Sequence, residues 1–153
     1  AGIEARLIDL DSGFLLSEPP LAREMEGDPV YLSPEAFLRM AGEDVSVDAA
    51  IDTFAFGALM HYFWTGFLPK TDEKYHYLYE AALDGASIHL SRTMPQEYRT
   101  LIQQMLCANP ANRPSDAEIV RLLSLSQQVE GERKGNHHRE DKPINGLSRF
   151  MRK

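Results

Sequence analysis

The side chains able to do chemistry in this 153-residue sequence are 23 carboxylates, five histidines and one cysteine. Their spacing excludes several reaction classes. His61, His76 and His89 stand far apart, His137 and His138 are adjacent near the C-terminus, and neither His-Glu-x-x-His nor Cys-x-x-Cys occurs, so no metal constellation is expected from them. A lone Cys107 cannot build a disulfide framework. Gly-x-Ser-x-Gly and Walker-type loops are absent, which removes the hydrolase elbow and the P-loop. Tyr75, Tyr77 and Tyr79 read as packing on an amphipathic helix rather than as a ligand platform. The carboxylates are more suggestive. Glu18, Glu24, Glu26 and Asp28 crowd a stretch with no Ser or Thr between Glu18 and Leu32, a segment of permanent negative charge.

The elements that must position these groups begin with strand-like residues. Ile3–Leu10 is β-branched and apolar, Asp11-Ser12-Gly13 is turn chemistry, and Phe14-Leu15-Leu16 reads as a second short strand, a hairpin in all. Ser17–Pro29, with three prolines and four acids, is a loop. Ser33-Pro34-Glu35 starts a helix: Ser caps, Pro suits the first helical position, and Glu complements the helix dipole. That helix should stop near Met40, before Gly42. Asp48–Thr65 is apolar almost all round, which predicts a central helix buried on every side, ending at Gly66 with Pro69 beyond. Asp52 is an acid inside that apolar helix and needs a hydrogen-bonding partner. Asp72–Leu83 and Pro95–Cys107 follow as amphipathic helices, and the capping box Ser115-Asp116-Ala117-Glu118 opens another. The expected fold is mainly α: a short N-terminal β-hairpin, then about five helices around a buried central helix.

Composition bounds the rest. With 43% hydrophobic residues the chain has enough apolar material for a core. The longest apolar run, Phe54–Trp64, is too short for a bilayer span of about 20 residues, and the N-terminus lacks the form of a signal peptide. A cytoplasmic protein is therefore expected. The formal charge of −7 argues against nucleic acid as a partner, but it is unevenly spread: residues 130–153 carry +3, residues 1–129 carry −10. Residues 125–153 read as a basic, disordered tail or linker. Its end, Leu147–Lys153, mixes cations with apolar anchors that could meet an anionic membrane surface.

Four segments then fall in a telling order: LIDLDSGF (7–14), GDPVYLSPE (27–35), DTFAFGALMHYFWTGFLP (52–69) and ANPANRPSDAEI (108–119). Their order and spacing resemble the C-terminal lobe of a serine/threonine protein kinase, from its Asp-Phe-Gly region to the end of the domain, over about residues 5–124. The resemblance implies roles. Asp9 falls where the family has its magnesium-binding aspartate, with Leu10-Asp11 in place of Phe-Gly; a second register puts Asp11 there. Ser33-Pro34-Glu35 resembles the Ala-Pro-Glu that closes the activation segment, to which Asp28 and Tyr31 also belong, and Arg113 resembles the partner of Glu35 in a buried ion pair. Asp52, followed by Phe54 where the family has Trp, resembles the aspartate that anchors the backbone of the catalytic loop.

The same resemblance implies what to look for upstream. The glycine-rich loop, the phosphate-binding lysine and the His-Arg-Asp catalytic loop would precede Ala1, and no G-x-G-x-x-G or His-Arg-Asp occurs in these residues. The expectation is an incomplete domain whose partner is the missing N-lobe or another protein. It would be inactive alone, and would use magnesium and ATP on protein substrates only within an intact parent. Asp28 stands where the family has a Thr whose hydroxyl bonds the catalytic aspartate; a carboxylate there would face another carboxylate. That substitution, with the acidic segment and Asp11, makes a pseudokinase or scaffold the alternative.

Overall fold

The computed structural model of the chain describes residues 11–125. The first expected strand, Asp9 and the basic tail from residue 126 onward lie outside the described residues. The chain divides into two units, residues 1–116 and 117–153.

In the first unit the helices are α1 (Pro34–Met40), α2 (Ala50–Thr65), α3 (Leu78–Leu83) and α4 (Gln96–Met105). Local chemistry accounts for their ends. Ser33 caps α1, its hydroxyl accepting from the Ala36 N–H at 3.3 Å, with Pro34 in the first turn. The Asp48 carboxylate accepts from the Ala50 N–H at 2.8 Å ahead of α2. Gly66 ends α2 in the left-handed conformation, φ 78°, which glycine adopts without steric cost.

α2 is the post around which the unit packs, through one stripe. Phe54, Gly57, Ala58 and His61 recur at helical spacing and are buried. They meet α4, where Ile102, Met105 and Leu106 are buried. Gly57 permits the close approach: a Cβ there would lie 2.9 Å from the Met105 Cβ. Leu78, Ala81 and Ala82 of α3 join the same core. Burying a side chain the size of Phe54 or Ile102 is worth roughly 1.5–3 kcal/mol. A smaller cluster of Met25, Ala36 and Val47 packs with Phe14, Leu32 and Ile51.

Three expectations need correcting. Phe14-Leu15-Leu16 is not a strand: it has no ladder partner among the described residues, and the chain turns at once, the Glu18 N–H bonding the Leu15 carbonyl at 2.9 Å. The helix expected from Asp72 starts only at Leu78. The Glu80 carboxylate takes the His76 and Tyr77 N–H groups at 2.6 and 3.1 Å, so those amides face a side chain and the helix begins after them. Finally, α2 is not buried on every side. Phe56 and Phe63, seven residues apart and so on one face, are exposed, Phe63 by 76%; Phe67 beyond the helix end is 71% exposed. An apolar composition shows that a surface can be buried; it does not supply the neighbour that buries it. One pairing was not legible at all: Lys70 and His89 form an isolated antiparallel bridge, with N···O distances of 3.0 and 2.7 Å.

In the second unit residues 117–125 are helical, in a stretch beginning at 116, and the Ser124 hydroxyl donates to the Val120 carbonyl at 2.8 Å. No helix among the described residues is long and apolar enough to cross a membrane.

Candidate functional site

Arg113 ties together the elements that carry the site. It follows the short 3-10 turn Pro110–Asn112 and has five N–H donors, all with acceptors. Nη1 and Nη2 form a fork on Glu35, at 2.6 Å to Oε1 and 2.8 Å to Oε2. Nη1 also donates to the Ala50 carbonyl at 2.7 Å, Nη2 to Ala108 at 3.1 Å, and Nε to Cys107 at 2.8 Å. The guanidinium lies 5.1 Å from the Phe54 ring centroid. One cation therefore binds the start of α1, the start of α2 and the chain after α4. Both partners are buried, Glu35 at 4% and Arg113 at 7% exposure, so the charge is neutralised where water does not screen it.

Neighbours of the Arg113 partners Glu35 and Ala50, among them Ser33, Ala36, Ala49 and Ile51, line an open cleft of about 350 Å³. Two stretches supply most of its walls, Met25–Asp28 with Tyr31 and Leu32, and Asp48, Ala49, Ile51 and Asp52 with Ala55. The floor includes Ser33 and Ala36. The lining is mixed, with Phe14, Leu16 and Ile51 as apolar surface and Glu26, Asp28, Asp48 and Asp52 as acids.

The carboxylates differ in their surroundings. Asp28 Oδ1 accepts from the Val30 N–H at 2.9 Å, and its own carbonyl accepts from Tyr31 and Leu32, so the residue closes the turn that leads into Ser33. Tyr31 is half-buried and packs against the main core. Ser33 and Pro34 are fully buried and make the cap already described. The Asp52 carboxyl accepts no hydrogen bond among the described residues, contrary to the need that its apolar helix implies. Its pKa is raised, first by desolvation and then by the negative charge of Asp116, although the residue as a whole is exposed. Asp11 is exposed, in a turn.

Among the described residues no group of three or more His, Cys, Asp or Glu is placed to hold a metal ion. Asp11 alone does not make a magnesium site, which takes oxygen ligands from several groups.

Two residues escaped the sequence reading. Arg39 donates to the carbonyls of Pro20 and Val45, and no sequence signal marks it, because its acceptors are backbone. His61 is a buried tie: its Nδ1 lies 2.8 Å from the Phe67 carbonyl, and its Nε2 accepts from the Ser91 N–H at 3.0 Å. A carbonyl only accepts and an amide N–H only donates, so the proton sits on Nδ1. Only its place in an apolar run hinted at this.

The model of the protein kinase domain family matches residues 2–123. This chain belongs to that family. Among curated relatives, the kinase-domain chain is 27% identical over 128 residues to "Probable serine/threonine-protein kinase MARK-A" of Dictyostelium discoideum, covering 82% of this chain and 12% of that protein. It is 31% identical over 126 residues to calcium/calmodulin-dependent protein kinase type II alpha chain of Drosophila melanogaster, covering 74% and 23%. It is 27% identical over 122 residues to serine/threonine-protein kinase Nek11 of Macaca fascicularis, covering 78% and 18%. The kinase-domain chain thus spans less than a quarter of each of these relatives, and its described residues, mostly helical with one isolated β-bridge, fit the C-terminal part of such a domain.

Proposed function

We propose that this chain is the C-terminal lobe of a serine/threonine protein-kinase-like domain and does not catalyse on its own. In an intact parent the domain transfers the γ-phosphate of ATP, with magnesium, to Ser or Thr hydroxyls of protein substrates, in the cytoplasm and without nucleic acid as partner. Asp9, or Asp11 in the second register, is the metal ligand contributed by this chain. Glu35 and Arg113 hold the lobe together, Asp52 anchors the catalytic loop supplied from upstream, and Asp28, Tyr31, Ser33 and Pro34 form the end of the activation segment.

The observation that carries this reading is Asp52 on the wall of an open cleft. Its carboxyl is partly desolvated and has no donor among the described residues, which suits a backbone N–H brought by another segment. The exposed Phe56, Phe63 and Phe67 are a surface for the same upstream half to cover. The basic residues of 130–153 would lie near an anionic membrane surface or an acidic partner.

A second reading, a pseudokinase that keeps the fold to bind proteins, is favoured by Asp28. Its carboxylate is engaged in its own turn, at the place where the family presents a hydroxyl to the catalytic aspartate.

The test uses the full-length parent and this chain side by side. ATP with magnesium should raise the melting temperature of the parent, which should phosphorylate a generic protein substrate; the chain alone should do neither. A parent that binds no nucleotide and labels nothing establishes the pseudokinase reading. Phosphorylation by the chain alone refutes the division into lobes.

A further inference from the structure

Arg39 lies in the last turn of α1 and does not line the cleft, and its guanidinium reaches two separate stretches of chain. Nη2 donates to the Pro20 carbonyl at 2.8 Å, and Nη1 donates to the Val45 carbonyl at 3.0 Å. Pro20 belongs to the acidic segment that continues into the Met25–Asp28 wall. Val45 belongs to the connection that continues into the Asp48–Asp52 wall. No backbone hydrogen bond joins these stretches among the described residues. Their other link is apolar, Met25 packing with Ala36 and Val47.

We propose that Arg39 is a latch that sets the spacing of the two stretches leading into the cleft walls and holds the acidic segment against the rest of the chain. The fork suits this task. Guanidinium nitrogens are fixed in one plane, so two carbonyls bound to Nη1 and Nη2 are held at a set separation, whereas a lysine ammonium is a single point on a mobile stem. Arg39 Nε is buried without a partner among the described residues, so the two outer nitrogens alone make the connection.

Residues 18–30 contain no Ser, Thr or Tyr. Of the flanking hydroxyls, Ser12 bonds Glu26 at 3.4 Å, Tyr31 is half-buried against the core, and Ser17 is exposed. The two stretches that line the cleft are therefore joined by the chain itself. This property belongs to the chain itself and goes beyond the kinase reading; it stands or falls whether or not the parent is catalytic.

Hydrogen exchange on the whole chain tests it. In Arg39→Gln, amides of residues 21–27 and 42–48 should exchange faster together, by at least about fivefold, while residues 101–106 of the α4 end keep their wild-type protection. Wild-type rates in either wall stretch overturn the latch. An equal rise in 101–106 also overturns it, because Arg39 would then support the whole unit rather than the walls. Arg39→Lys guards against a variant that fails to fold. It keeps the charge and the stem but can reach only one carbonyl, so at least one wall stretch should exchange faster; protection of both at wild-type level refutes the proposal.

Discussion

Arg113 and Glu35 are 78 residues apart in sequence and meet as a buried fork, while the remaining donors of the same guanidinium take three backbone carbonyls. Removing one partner leaves the other charge buried and unpaired, which costs roughly 3–5 kcal/mol. Arg113→Ala should therefore destabilise the chain by about that much in urea denaturation. Glu35→Ala should cost less, because Arg113 keeps its carbonyl acceptors. The double variant should cost less than the sum of the two; strict additivity would show that the fork carries no coupling.

Asp52 gives a pH dependence with a definite sign. Its pKa is raised in the folded chain, by desolvation and then by Asp116, so the folded state holds its proton more tightly than the unfolded state does. Ionising it therefore opposes folding, and that opposition appears as pH rises above the ordinary carboxylate value through the raised one. Asp52→Asn should melt at a slightly higher temperature than wild type at pH 7, with the difference vanishing near pH 3.5. A difference independent of pH would remove Asp52 as its source. In a parent where Asp52 anchors an upstream loop, the same substitution should instead destabilise.

Gly57 lies where α2 packs closely on α4. A Cβ at this position would sit 2.9 Å from Met105 Cβ and 3.4 Å from Leu106. Helix propensity alone favours Gly57→Ala by up to about 1 kcal/mol. Overpacking opposes it by about 1–3 kcal/mol, and Met105 Cβ, next to the backbone, cannot swing away. Gly57→Ala should lower the melting temperature and Gly57→Val should lower it further. A stabilised alanine variant would mean that the helices part without cost.

His61 ties the end of α2 to the segment after the Lys70–His89 bridge through the Ser91 N–H. His61→Phe keeps the apolar bulk and removes the acceptor, leaving that amide unpaired at a cost of about 1–3 kcal/mol. The Phe67 carbonyl is less affected, since the Thr65 hydroxyl lies 2.9 Å from it. Faster exchange at the Ser91 amide should accompany the loss of stability. Unchanged exchange there would show that the histidine is not the tie.

What this sequence determined by itself was local. Ser33 and Pro34 fix the start of α1, Gly66 ends α2, and the three- and four-residue spacing in α4 marks its inward face, because each depends on groups within one or two turns. The kinase family was legible too, since its motifs are short stretches in a fixed order. The tertiary structure decided the rest. The start of α3 depended on where Glu80 reached, and the lack of a strand at Phe14–Leu16 on there being no ladder partner for it among the described residues. The exposure of Phe63 depended on which surface met α4. Arg39, joined to two backbone carbonyls, left no trace in residue types at all. Side-chain identity sets what a residue can bond or bury. Which partner satisfies it depends on chain distant in sequence, and only folding brings that partner within reach.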